Sequence, residues 1–232
     1  MLFPLNFKLD FNKAFLLSLE ALKIFKDYGA EREKLYLWNN IGLVYLKKNK
    51  VERAEKIYNI LLRKLPKSDP YYALIYHNVL LVKIQKKEYE EVLIKISEFQ
   101  KMAMESNLKV ERGRSYIIEG EVNFFLKNYL KAIKSFKKAK KFLKGENLYF
   151  DEALIDIGIA KAYFELKMDE KSLVYLKKAH QFFSSEGFVE EIQETISLWE
   201  KGIKMKDENT FSISNLIFSK LLNLYHFGVY YS

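Results

Sequence analysis

The stretch from Trp38 to Pro66 reads WNNIGLVYLKKNKVERAEKIYNILLRKLP, two largely apolar segments joined by the polar run KKNK. Gly42 has no side chain and can admit a neighbouring helix closely, and we expect Trp38 and Tyr45 to fill the space beside it. Pro66 cannot continue a helix, so the second segment should end just before it. Because so short a connection makes two helices antiparallel, the stretch predicts a helical hairpin.

One pattern of small and large side chains recurs about every 40 residues along the chain. Its anchors are Phe11, Val51, Tyr89, Tyr129 and Asp169. Three positions later come the small or modest residues Ala14, Ala54, Val92, Ala132 and Ser172. Seven and ten positions later come Ser18, Tyr58, Ile96, Phe136 and Leu176, then Ala21, Leu61, Phe99, Ala139 and Ala179. These spacings form one stripe on a helix, which predicts the second helix of each unit.

The repeats predict an all-α protein, a right-handed α-α superhelix of about five helical hairpin units. The array should cover residues 1–206, with units at 1–28, 29–66, 67–106, 107–145 and 146–184 and a further helix at 185–204. Residues 1–28 have room only for a second helix. Residues 207–232 are strongly apolar and aromatic, and we expect them to form a helix that caps the array.

Trp38-x-x-Ile41-Gly42-x-x-Tyr45, followed by Ala54-x-x-x-Tyr58 and then Pro66, resembles the tetratricopeptide signature in residue type and spacing. The other units match it more loosely, and a period near 40 is longer than the usual ~34 residues. That longer repeat is similar to those of kinesin light chains and of bacterial peptide-sensing regulators. The resemblance implies a scaffold that binds a protein or a peptide and has no enzymatic activity.

Composition narrows the function further. Cysteine is absent, which excludes thiolate nucleophiles and zinc-thiolate sites. The three histidines, His77, His180 and His226, lie far apart, and no phosphate-binding glycine loop or nucleophile elbow is present. We therefore expect no cofactor, no metal and no catalytic residue. The start of the chain has no secretory pattern, and we expect a cytoplasmic protein.

The first helices of a right-handed stack line its concave face, and the resemblance to tetratricopeptide proteins implies that this face is a groove for an extended peptide. Aligning each unit on Trp38 places these residues in it: Tyr36, Asn39, Asn40, Leu43, His77, Asn78, Leu81, Arg114, Ile117, Glu121, Ile157 and Lys161. Asn40 and Asn78 occupy the same position in consecutive units. An amide can donate and accept, so the pair could bind the backbone of an extended peptide, as the resemblance to the peptide-sensing regulators implies. The alternatives are a hydrogen bond between helices and simple solvation.

The net charge of +9 comes mostly from lysine. Eight lysines and no acid lie between Lys127 and Lys144, either as a solvated outer face or as a surface for an acidic partner. We expect no specific nucleic acid, and a membrane contact is the weaker interpretation of residues 211–232. That segment could also mediate self-association. The remaining alternatives are a peptide-responsive regulator acting on a separate effector and a membrane-associated assembly factor.

Overall fold

The computed structural model describes residues 11–146 and 148–185, together with the single positions Ser197, Trp199 and Ile203. Its helices are α1 (Phe11–Asp27), α2 (Glu31–Lys47), α3 (Val51–Lys64), α4 (Pro70–Gln85), α5 (Tyr89–Glu105), α6 (Lys109–Phe125), α7 (Tyr129–Leu143), α8 (Tyr149–Glu165) and α9 (Asp169–Ser185). No strand occurs in these ranges. The all-α prediction is confirmed.

Successive helices pack against each other as hairpins. Contacts join α2 to α3, α4 to α5 and α8 to α9 within pairs, and α1 to α2, α3 to α4 and α7 to α8 between pairs. The helices α2 and α4, which begin consecutive pairs, also touch. Two compact units result, one within Lys8–Ser115 and the other from Tyr116 onward. Within each, the packing is that of a tetratricopeptide-like α-solenoid.

The predicted stripe of the second helices forms the core. Exposure is no more than 2% at these positions of α3, α5, α7 and α9: Ala54, Tyr58, Leu61, Val92, Ile96, Phe99, Ala132, Phe136, Ala139, Ser172, Leu176 and Ala179. In α1, Ser18 is also buried, whereas Ala21 is only half-buried. Burial of this stripe supplies most of the stability of such helices, because short helices are marginal by themselves.

Glycines in the first helices allow large rings of the second helices to fit. A Cβ atom on Gly42 would lie 2.8 Å from the Tyr58 ring, and one on Gly120 would lie 2.7 Å from the Phe136 ring. The prediction that Gly42 admits a neighbouring helix is confirmed. Trp38 does not fill that gap, because Tyr58 occupies it and leaves Trp38 41% exposed. Tyr45 packs edge-on against Phe15 of α1 instead.

The turns inside the hairpins share one backbone geometry. Asn49, Lys87, Lys127 and Lys167 each follow a first helix and adopt a left-handed conformation with φ between 55° and 62°. This conformation closes the end of a helix and reverses the chain within a few residues. Helix α3 ends at Lys64 and the next residue is extended, which confirms that the chain leaves the helix ahead of the proline.

Part of the region beyond α9 is described. Trp199 and Ile203 are buried in helical conformation, and the Trp199 ring lies 6.3 Å from Phe164 of α8. Both residues fall within the helix predicted at 185–204. Apart from Ser185 and Ser197, the remaining positions of that predicted helix and the predicted capping helix at 207–232 lie outside the described residues.

Candidate functional site

The predicted groove residues lie on the first helices α2, α4, α6 and α8. All of them except Tyr36 and Asn40 are buried, with exposures of 7% or less. The sequence predicted an open groove, so burial of amide, imidazole and charged side chains there is a difference from that prediction. Such groups lose hydration when buried and require partners or shifted pKa values in compensation.

A hydrogen bond joins Asn39 and Asn78 in the unit within Lys8–Ser115. The Asn78 Nδ2 atom donates to the Asn39 Oδ1 atom over 2.7 Å, and Asn78 is fully buried. The Tyr58 hydroxyl also lies 3.4 Å from the backbone oxygen of Asn39. The bond between helices, one of the alternatives for the asparagines, therefore holds for Asn78 with Asn39. Asn40 stays half-buried.

His77 lies beside these amides on α4. Its side chain is 3% exposed, and its ring lies 6.3 Å from that of Phe99. Burial and, as a smaller cause, the nearby Arg114 guanidinium lower the pKa of His77 to about 3. The imidazole is therefore neutral at physiological pH. Its Nδ1 atom is buried and has no hydrogen-bond partner among the described residues.

An exposed polar and aromatic cluster lies at the N-terminal ends of α2 and α4. The Arg32 Nε atom donates to the Tyr36 hydroxyl over 3.1 Å, and another Arg32 nitrogen lies 3.4 Å from the Asp69 carboxylate. The Tyr36 and Tyr71 rings meet edge-to-face at 4.4 Å. Asp69 caps α4 by accepting from the Tyr71 backbone nitrogen at 2.8 Å.

Sequence reasoning found Tyr36 in this cluster and missed Arg32 and Tyr71. Arg32 precedes Tyr36 by one helical turn, a spacing that places both side chains on the same face. The Asp-Pro pair at 69–70 is a helix-start signal, and it fixes Tyr71 in the first turn of α4. Both signals were present in the sequence.

In the unit from Tyr116 onward, the predicted residues are Ile117, Glu121, Ile157 and Lys161. Ile117 and Ile157 are apolar and at most 2% exposed. Burial raises the pKa of Glu121 to about 8 and lowers the pKa of Lys161 to about 8. The Lys161 ammonium lies 4.5 Å from the centre of the Phe124 ring, which stabilises a cation that has lost water.

Two other kinds of site are a metal centre and a membrane span. No cluster of three or more histidine and carboxylate side chains suited to a metal occurs among the described residues. None of the described helices is long and apolar enough to span a bilayer. Residues 211–232, on which the membrane alternative and the self-association prediction depend, lie outside that range. The absence of enzymatic activity remains a prediction.

Residues 35–61 match the tetratricopeptide repeat family. The structure of BtubC (BKLC) from P. vanneervenii is similar over 96% of this chain and 94% of its own, with 11% identity and a TM-score of 0.68. RapI shares 17% identity over 91% of this chain, which spans 62% of RapI, with a TM-score of 0.57. Pseudomonas aeruginosa pilF shares 15% identity over 94% of this chain and 97% of its own, with a TM-score of 0.50. No curated protein sequence matches the chain.

At these identities the solved structures establish similarity of fold, and it extends along nearly the whole chain. The family match adds the signature of one hairpin, α2 with α3. A tetratricopeptide fold supports a protein-interaction role in general. Residues 35–61 carry a tetratricopeptide repeat, and the chain has a helical-repeat fold similar to those of the three solved structures.

Proposed function

We propose that this chain is a non-enzymatic adaptor that binds an extended peptide or protein segment along α2 and α4. The observation that carries the proposal is the concentration of amide, imidazole and phenol groups on these two first helices. We call this set the first-helix face: Tyr36, Asn39, Asn40, His77 and Asn78. The second helices α3 and α5, which pack with them, bury only apolar side chains and the Tyr58 ring.

The exposed end of the face has the composition of a binding hot spot. Tyr36 is 39% exposed and is held by Arg32 and by the Tyr71 ring, so its orientation is fixed before a partner arrives. Tyrosine and arginine are enriched where interfaces gain most of their affinity. An anchor that is already ordered loses little entropy on binding.

Asn40 continues the face beyond Tyr36. The two residues are one helical turn apart, so they share a side of α2, and Asn40 is half-buried. Its amide can both donate and accept, which suits the alternating N–H and C=O groups of an extended backbone. The proposed peptide lies across Tyr36 and Asn40, above the buried Asn39–Asn78 bond.

The test uses two aromatic side chains on α2 that are matched in exposure. Tyr36 and Trp38 are 39% and 41% exposed, and two positions of separation put them on opposite sides of the helix. A peptide selected from a displayed random library by the wild-type protein is labelled, and its affinity is measured for Tyr36→Ala and Trp38→Ala. Circular dichroism and thermal unfolding establish that both variants are folded.

Tyr36→Ala should weaken binding by about 2 kcal/mol, roughly thirtyfold, because it removes the anchor. Trp38→Ala should leave the affinity within about threefold of wild type. Equal losses in both variants, or a loss confined to Trp38→Ala, would place the contact away from the first-helix face and remove the proposal.

A peptide-responsive regulator is the second candidate, and the Asn39–Asn78 bond favours it. That bond joins two first helices, so a peptide that competes for either amide would change their contact. A ligand shifts a conformation only through differential affinity for the two states. Small-angle scattering should then change when the selected peptide is added, and Asn39→Ala should produce part of that change without peptide. Superimposable profiles would reject regulation and leave simple binding intact.

A further inference from the structure

The outer surface of the unit from Tyr116 onward holds a cluster of lysines around two stacked tyrosines. The Tyr163 and Tyr175 rings stack at 5.8 Å between α8 and α9. The ammonium groups of Lys137 and Lys171 lie 6.0 and 5.6 Å from the centre of the Tyr163 ring, and that of Lys178 lies 5.1 Å from the centre of the Tyr175 ring. We call these five residues the lysine–tyrosine cluster.

The three ammonium groups are exposed and come from two helices, α7 and α9. None of the three forms an ion pair with a described residue. The Lys137 ammonium also donates to the Tyr163 hydroxyl over 3.5 Å, and the ring faces attract all three ammonium groups, so the charges are partly ordered before any partner binds. Ordering in advance lowers the entropy lost when a charged partner docks.

One carboxylate, that of Asp156 on α8, lies at the edge of the cluster. Asp156 is 5% exposed and accepts two hydrogen bonds from the Lys140 ammonium, each 2.7 Å long. Burial raises the pKa of Asp156, while Lys140 and then Lys178 oppose that rise. Asp156 therefore pairs mainly with Lys140. Helices α7 and α9 together carry nine lysines and two carboxylates, Asp169 and Glu170 in the first turn of α9, so positive charge is in excess on them.

We propose that the lysine–tyrosine cluster is a docking surface for an acidic protein segment, one whose aspartate or glutamate side chains pair with Lys137, Lys171 and Lys178. The cluster belongs to α7, α8 and α9, whereas the first-helix face belongs to α2 and α4, so the two would be separate contacts. Charge complementarity of this kind speeds association and selects partners by sign.

A nucleic acid fits the cluster less well. Single-stranded nucleic acids bind proteins largely by stacking bases on open aromatic faces. The Tyr163 ring already has two ammonium groups and the Tyr175 ring against it. The cluster also contains lysines and no arginine, so it lacks the planar guanidinium group that forms two parallel hydrogen bonds with a phosphate. Separate carboxylates on flexible side chains match separate ammonium groups better.

The test compares two triple variants of equal charge. Lys137→Gln, Lys171→Gln and Lys178→Gln together remove the cluster's charges. The control makes the same lysine-to-glutamine change at Lys131, Lys134 and Lys141. These lysines are also exposed on α7 but make no ring contact with described residues. The probes are a fluorescent glutamate-rich peptide and a single-stranded oligonucleotide of equal net charge, titrated at several salt concentrations. Circular dichroism verifies the fold of each variant.

The cluster variant should bind the peptide roughly tenfold more weakly than wild type, and the control should change binding by less than about threefold. Asp156→Asn should strengthen peptide binding by about twofold or more, because it frees the Lys140 charge. A simple loss of structure could not produce that gain.

Three outcomes would overturn the proposal. Equal weakening by the two triple variants would mean that only net charge matters. Tighter binding of the oligonucleotide than of the peptide, with the same dependence on the cluster, would assign the surface to nucleic acid. Failure of the wild-type protein to bind the peptide even at low salt would show that the cluster is not a docking surface for acidic segments.

Discussion

First helices and second helices bury different chemistry. On the second helices, as far as the structure describes them, the buried polar residues are the serines Ser18, Ser135 and Ser172. On the first helices they are Asn39, His77, Asn78, Arg114, Ser115, Glu121, Asn123, Asp151, Asp156 and Lys161. Burying amides and charges costs free energy unless partners compensate, whereas apolar residues gain from burial. The second helices thus stabilise the fold, and the first helices carry groups that stability alone does not require.

The stabilising role of the second helices should show its largest effect at Phe136 on α7. Its ring is 1% exposed and packs against Gly120 and Gly158, one from each neighbouring first helix. Phe136→Ala should lower the free energy of unfolding by about 3–5 kcal/mol, because it removes buried apolar surface and leaves a cavity. Urea denaturation measures the change. Leu130→Ala on the same helix, where the side chain is 70% exposed, is the control and should stay within about 0.5 kcal/mol of wild type.

Gly120 tests the other side of the same contact. A Cβ atom there would lie 2.7 Å from the Phe136 ring, so Gly120→Ala should destabilise the protein by about 1–3 kcal/mol through overpacking. The smaller Phe136→Leu side chain should accommodate the added methyl group. The double variant should therefore be less destabilised than the sum of the two single changes. Strict additivity in urea denaturation would show that the ring and the glycine do not constrain each other.

The Asn39–Asn78 bond tests how much the buried polar groups of the first helices contribute to stability. Asn78→Ala should cost about 1–3 kcal/mol, since it leaves the Asn39 amide buried without this donor. In the Asn39→Ala background, Asn78→Ala should cost less than it does in the wild-type protein. A double-mutant cycle measures the coupling, and a coupling near zero would mean that each amide acts separately.

His77 gives the smallest expected effect, a dependence of stability on pH. Its folded pKa of about 3 lies below the ordinary 6.5, so the unfolded chain binds a proton at mildly acidic pH and the folded chain does not. This contribution is complete above pH 6.5 and is lost progressively as the pH falls toward 3. Between pH 7 and 5.5 the wild-type protein should lose about 1 kcal/mol more than His77→Leu. Parallel curves for the two proteins would contradict a neutral, buried imidazole.

Much of the fold was predictable because its signals are local. Small or modest residues three positions after the anchor and large ones seven positions after it mark the buried side of α3, α5, α7 and α9. Ala54 with Tyr58 and Ala132 with Phe136 illustrate the pattern, and all four are at most 1% exposed. The short polar turns likewise predicted which helices pair as antiparallel hairpins. Both features depend on neighbours within one helix or one hairpin.

The site was less predictable because its contacts join distant positions. The alignment paired Asn40 with Asn78 by register, whereas the structure pairs Asn39 with Asn78, one position away on another side of α2. Trp38 matched the family signature, yet Tyr58 from α3 occupies the space beside Gly42. A single sequence does not specify how closely two first helices approach, and that approach decides which amide reaches across.

The central claim is that a partner contacts α2 and α4 rather than α3 and α5, and photo-crosslinking tests it most directly. The library-selected peptide, with a photoreactive group at each position in turn, is irradiated with the full-length protein, and the linked residues are mapped by mass spectrometry. The account predicts crosslinks within Glu31–Lys47 and Pro70–Gln85, beginning near Tyr36 and Asn40. Crosslinks confined to Val51–Lys64 and Tyr89–Glu105 would contradict it.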